Sequence, residues 1–125
     1  VAMLSAAKGG ITATNPSQWA SFTRDIDAAN NSTIVLVMDK TPSAFSSAAE
    51  TNYFRAILSK YVEQGKKVFV ISCGSTSYWT STKDGVRYIN LPDLWKADGT
   101  VNPNYKMLRF RVKDGAVTYE AVHIK

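Results

Sequence analysis

The sequence predicts an α/β fold, a mixed sheet with a βαβαβ core followed by antiparallel strands. Three observations predict it. Two β-branched, apolar runs, "STIVLVMD" (32–39) and "KKVFVIS" (66–72), have the composition of strands covered on both faces. A segment with helical spacing and capping residues precedes each of them. The last third turns to alternating segments around Asp84-Gly85 and Asp114-Gly115, both hairpin-turn dipeptides.

In chain order, residues 1–7 ("VAMLSAA") read as a short apolar strand ended by Lys8-Gly9-Gly10. Asn15-Pro16-Ser17-Gln18 announces a helix, with Asn as N-cap, Pro at the first helical position and Gln at the capping-box position. Trp19, Phe22 and Ile26 give it one apolar stripe, and Asn30-Asn31 closes it. After the strand at 32–39, "KTPSAFSS" reads as a loop. Ser47-Ala48-Ala49-Glu50 is a second capping box, opening a helix whose apolar face carries Phe54, Ile57, Leu58, Tyr61 and Val62. Gly65 ends that helix. "GVRYINL", "KMLRFRV" and "AVTYEAVHI" read as antiparallel strands, and "PDLWKADGTVNPN" as a loop.

The 125 residues, 45% hydrophobic and 20% charged, suit a single domain of ordinary globular composition. No apolar run is long enough to span a bilayer, so no membrane insertion is expected. The opening segment is too short for a signal-peptide core. A first residue other than Met suggests a piece of a longer multidomain protein. The single cysteine, Cys73, allows no intrachain disulfide and is expected to be a packed, inert thiol in or beside a strand. The net charge of +5 is scattered. Arg109, Arg111 and Lys113 share one strand face, which reads first as a solvated face and second as a contact for an anionic partner. Aromatics do not interleave with the basic residues, so no nucleic-acid partner is expected.

In an α/β sheet, chemistry is sought at the carboxyl ends of the strands, here 38–42 and 73–79. The only histidine, His123, lies near the terminus on the last strand, which leaves no Ser–His–Asp arrangement, and there is no Gly-x-Ser-x-Gly elbow or P-loop. Asp39, with Lys40 beside it, is one carboxylate and makes no metal site. It reads instead as an acceptor for the loop before Pro42. Asp39, Asp84 and Asp93 show no spacing that would pair them for glycosidase chemistry, and Asp84 is explained by its turn. Tyr78, Trp79, Tyr88 and Trp95 are candidates for a sugar-stacking platform near Gly74-Ser75-Thr76-Ser77.

The order of these features resembles the C-terminal half of a calcineurin-like metallophosphoesterase. The resemblance rests on the Gln18-Trp19 helix, the strand ending near Pro42, "GKKVFVISCGSTS" and "DGVRYINLP". It implies a sandwich half in which the family's Gly-His-x-His falls on Gly74-Ser75-Thr76-Ser77, with serine at both imidazole positions, and the other strand-end histidine is missing from residues 38–42. A serine hydroxyl is a poor metal ligand beside imidazole. A closer similarity is to degenerate modules of large secreted bacterial envelope proteins, some with a phosphodiester-glycosidase domain. The resemblance implies a non-catalytic binding or structural module in an extracellular or cell-wall setting, without cofactor or metal. An anionic or glycan cell-wall polymer and other domains of the parent chain are its implied partners. Contact would run through the 39–42 and 74–79 loops, where Asp39 is a candidate ligand-binding residue, Ser75, Thr76 and Ser77 would donate hydrogen bonds, Lys40 would supply charge and Trp79 would stack. The alternative implied is the back half of an active metal-dependent phosphodiesterase whose ligands lie upstream, and a purely structural spacer is a third reading.

Overall fold

A computed structural model describes residues 2–28, 33–75, 77–93, 98–103, 105–113 and 116–123, with backbone alone at Gly74, Ser75 and His123. It is an α/β structure. The elements are β1 (Ala2–Leu4), α1 (Ile11–Thr14), α2 (Gln18–Ala28), β2 (Thr33–Met38), a 3-10 turn (Pro42–Ala44), α3 (Ala48–Glu63), β3 (Lys67–Ser75), β4 (Trp79–Lys83), β5 (Val86–Pro92), β6 (Lys106–Lys113) and β7 (Ala116–His123). A five-stranded sheet runs β1-β2-β3-β5-β4, and β6-β7 form a separate two-stranded sheet. β1, β2, β3 and β5 are mutually parallel, and β4 is antiparallel to β5.

The monotonic order β1-β2-β3 with right-handed crossovers places α2 and α3 on the same face of the sheet. Even-numbered residues of β1, β2, β3 and β5 point to that face, and Leu36, Met38, Val68, Val70, Val86 and Tyr88 are buried there against Phe22, Phe54 and Leu58. The rings of Trp19 and Phe22 meet Phe54 at 6.1 and 6.3 Å. The odd-numbered face is covered unevenly. Phe69 packs edge-on against Phe110 of β6 at 5.0 Å, which seats the β6-β7 hairpin over β3 and β5. Along one row of that face exposure runs from 0% at Ile89 to 80% at Met3, with Ile71 and Val37 half-buried between them. The hairpin thus leaves the β1–β2 side open.

Three expectations need correction. The strand read at 1–7 is only three residues long, because Ser5 and Ala6 turn their backbones to side chains rather than to the sheet. "GVRYINL" is β5, which lies parallel to β3 inside the main sheet and is antiparallel only to β4. One element adds to those expected, α1, a single turn immediately after Gly10, while β4, "WTSTK", is the strand that the Asp84-Gly85 hairpin turn calls for. The helix at Asn15-Pro16 begins at Gln18, preceded by an Asx turn in which Asn15 Oδ1 accepts from Ser17 N and Oγ. Asn30-Asn31, Asp114-Gly115 and residues 94–97 of the long loop lie outside the described residues.

Candidate functional site

The parallel strands bring four carboxyl ends to one edge of the sheet. A single register row, Leu4–Met38–Ser72–Asn90–Trp79, crosses all five strands just before that edge. Beyond the row, β3 departs from regular pairing. Ser72 pairs with Asn90 but Ser75 pairs with Pro92, so a bulge occupies Cys73-Gly74. Bulges redirect a strand end, often beside a site.

The polar groups of this edge are turned inward. Asp39 accepts a hydrogen bond from Ser5 Oγ at 2.6 Å on one oxygen and from Ala6 N at 2.7 Å on the other. The carboxylate therefore ties down the segment after β1, and not the loop before Pro42 that the sequence suggested. Gln18 completes the tether, since its amide oxygen accepts from Ser5 N at 2.7 Å and its Nε2 donates to Ser5 O at 3.0 Å. Asn90, fully buried in β5, accepts from Ser72 Oγ at 3.0 Å and donates through Nδ2 to the carbonyl of Ser77 at 3.0 Å. An amide carrying both a donor and an acceptor function is well suited to that buried position, because each half meets its complement.

Of the residues singled out from sequence, Asp39, Ser75 and Ser77 do stand at this edge. Lys40 is half-buried in the bend after Asp39. Ser75 ends β3, its backbone opposite Pro92, and Ser77 is exposed with its carbonyl held by Asn90. Thr76 and Trp95 lie outside the described residues. Trp79 pairs with Asn90 on the helix-facing side, where it is partly buried against the core. Among the described residues, Tyr78, Trp79 and Tyr88 make no ring contact with one another. Tyr88 is buried with Arg55 over its ring at 5.9 Å, and Tyr78 lies under Lys106 at 5.8 Å.

Cys73 is also corrected. It lies in β3 as read but is exposed, its Sγ 3.8 Å from the carbonyl of Met38. Partial burial, then the Asp93 charge, then that of Asp39 push its pKa up. Such a thiol stays protonated and is a weak nucleophile. Asp93 and Asp39 thus both act on this edge, whereas Asp84 sits at the opposite end of β5 in the β4–β5 turn, with a φ of 52° beside Gly85 at 79°. His123 falls in β7, in the separate two-stranded sheet.

The donor set does not fit the metal centre that the resembled family implies. Asp39 is a lone carboxylate accepting one hydrogen bond on each oxygen, from Ser5 Oγ and Ala6 N, and beside it Ser72 Oγ donates to Asn90 Oδ1. Among the described residues no three His, Cys, Asp or Glu side chains group as ligands. Sequence reasoning missed Ser5, Gln18, Ser72 and Asn90. The signal for Asn90 was present, as an amide at a helix-facing position of the otherwise apolar "VRYINLP". Comparisons with protein-family models, curated proteins and solved structures find no match for the chain.

Proposed function

We propose that this chain is a non-catalytic, metallophosphoesterase-like binding or structural module of a bacterial cell-surface protein, working outside the cell or in its wall. The observation that carries the reading is the double commitment of the Asp39 carboxylate to Ser5 Oγ and Ala6 N. One carboxylate, held in place by two hydrogen bonds, is too few ligands for a metal centre, and the serines at 75 and 77 offer no imidazole beside it. The Ser72–Asn90–Ser77 chain supports the same reading, since it fixes the shape of the strand end without presenting a reactive group.

The test is hydrolysis of an aryl phosphodiester in the presence of Mn²⁺. This chain is expected to release no product above the metal-only rate, and Asp39→Asn is expected to change nothing. In a longer protein carrying the segment, removing residues 2–123 should leave any hydrolysis unaltered. Activity lost with that removal would favour the alternative, an active phosphodiesterase whose ligands come from upstream.

A further inference from the structure

Among the described residues β1 has a neighbouring strand on one side only, so Ala2, Met3 and Leu4 present an unpaired backbone edge. That edge has none of the usual guards, since it holds no Lys, no Pro and no bulge. β4, at the other edge of the sheet, is polar apart from Trp79 and ends on Lys83. Met3 is 80% exposed, more than any other large apolar side chain among the described residues. A cleft of about 360 Å³ lies beside the edge. Ala2, Met3 and Leu4 line it from the strand, and Ser17, Ser21 and Asp25 from the flank of α2.

Strand and helix are in step along this cleft. Gln18 is tied to Ser5 by hydrogen bonds of 2.7 and 3.0 Å, which sets their common level. The parallel β1–β2 crossover makes α2 run back against β1. A strand residue spans about 3.3 Å and a helix residue about 1.5 Å, so Met3 stands level with Ser21 and Phe22, and Ala2 with Asp25. A twofold axis beside Met3, perpendicular to the sheet, therefore suits both layers at once. In the sheet, Met3 lies opposite Met3 of a second copy on the open face, continuing the apolar flank from Val37. On the helix face, the small Ala2 lies opposite the larger Leu4 of that copy. In the helix layer, the two α2 helices run antiparallel with Ser21 near the axis, where a small side chain permits close approach. Asp25 then meets the Ser17 end of the other helix, the positive end of its dipole. α2 has no acidic residue of its own in its first turn. The neighbour of Asp25 within the chain, Arg24 at 3.5 Å, is an exposed contact of little worth.

We propose that β1 pairs antiparallel with the β1 of a second copy of this chain, giving a twofold dimer with one continuous sheet, five strands from each copy. The partner is a second copy because the edge, the Ala2–Leu4 contrast and the Asp25–helix-end match are each complementary to themselves under that one axis. The proposal does not depend on the non-catalytic reading.

Sedimentation equilibrium of the whole chain tests it, and twice the chain mass is expected at micromolar concentration. Met3→Lys places two ammonium groups at the axis, and Ser21→Arg does the same with guanidinium groups in the helix layer. Each should weaken dimerisation at least about tenfold. Both side chains are exposed, so neither change disturbs the single chain. Met107→Lys, at another exposed apolar position, should leave the equilibrium unchanged. The register has its own readout in a Cys73→Ser background. There Met3→Cys should give a disulfide-linked dimer on oxidation, since directly opposed antiparallel residues lie about 4.5–5.5 Å apart at Cα, and Met107→Cys should not. A wild-type chain that stays monomeric up to millimolar concentration would overturn the proposal. So would a dimer that Met3→Lys and Ser21→Arg both leave intact, or one that crosslinks through Met107→Cys and not through Met3→Cys.

Discussion

Asn90 and Tyr61 show how single polar groups are accommodated in the interior. Asn90 satisfies two partners from a fully buried position, so Asn90→Ala leaves Ser72 Oγ and the Ser77 carbonyl without it and opens a cavity. The expected cost is about 2–4 kcal/mol, read as a drop in the urea midpoint, with faster amide exchange around Ser77. An unchanged midpoint would contradict the network. Tyr61 is buried between α3 and α2, and its hydroxyl donates to Asp27 Oδ1 at 3.2 Å. Burial first, then the Asp27 charge and hydrogen bond, push its pKa from 10.0 up to about 12. The proton is thus held more tightly in the folded chain than in the unfolded one. Its stabilising contribution is complete below the unfolded value and is lost as pH rises from 10.0 towards about 12. Tyr61→Phe should flatten the fall in stability over that window, measured by urea titration at stepped pH. A fall as steep as that of wild type would contradict the assignment.

At the scale of elements, capping and closure are built from long-range partners. Ser47 Oγ caps α3 by accepting from Glu50 N at 3.2 Å, as its sequence promised. The Glu50 carboxylate does not return to Ser47. It accepts from Ile11 N at 2.9 Å and Thr12 N at 3.0 Å and so supplies the first turn of α1 with its cap. Gly10 leaves room for that approach, since a Cβ there would collide with Glu50 Oε1. At the other end of α3, Gly65 N bonds Val62 O at 2.9 Å and Lys66 N bonds Tyr61 O at 3.1 Å, a Schellman closure with Gly65 at a φ of 85°. No atom lies within 4 Å of a Cβ placed on Gly65. The cost of Gly65→Ala is therefore that of the left-handed backbone alone, about 1 kcal/mol by thermal unfolding, with Gly65→Asn cheaper. A neutral Gly65→Ala would contradict the closure.

These elements also mark what was legible in the sequence. β2, β3, α3 and the Asp84-Gly85 turn were readable because apolar period, caps and turn chemistry all act locally. β4 was legible only through that turn, since "WTSTK" is a mostly exposed edge strand without an apolar period. The parallel placement of β5 was not legible, because Tyr88 and Asn90 on one side and Ile89 on the other are buried only once β3 is alongside. At the candidate site, the position of Asp39 at a strand end was legible, but its partners were not. Ser5 and Ala6 lie more than thirty residues away and reach it through sheet order rather than through any local pattern.

For the whole molecule, one face of the sheet is sealed by helices and the other is shared between the hairpin and an open flank. The hairpin meets the main sheet through Phe69, whose ring packs on Phe110 at 5.0 Å and on Tyr119 at 6.4 Å, and Tyr119 is stacked on Phe110 at 6.2 Å. Phe110→Ala should cost about 2 kcal/mol, less than the ~3–5 kcal/mol of a fully buried Phe, and should loosen β6-β7 in hydrogen exchange while leaving β2 and β3 protected. Equal loosening of all strands would mean that the two sheets unfold as one unit. The same arrangement separates two ends of the molecule. Polar groups at the carboxyl edge are held in hydrogen bonds within the fold, while at the amino end of β3 the Lys66 ammonium lies over the Tyr61 ring at 5.5 Å.

The central claim is that the carboxyl edge is a fixed shape without metal chemistry. Titration of Mn²⁺ into the chain, followed by the electron paramagnetic resonance of the free ion, tests it most directly. The account predicts a free-ion signal that grows as it does in buffer, identical for wild type and Asp39→Asn. Stoichiometric, submillimolar binding that Asp39→Asn abolishes would contradict it, because the Asp39 carboxylate would then be holding a metal.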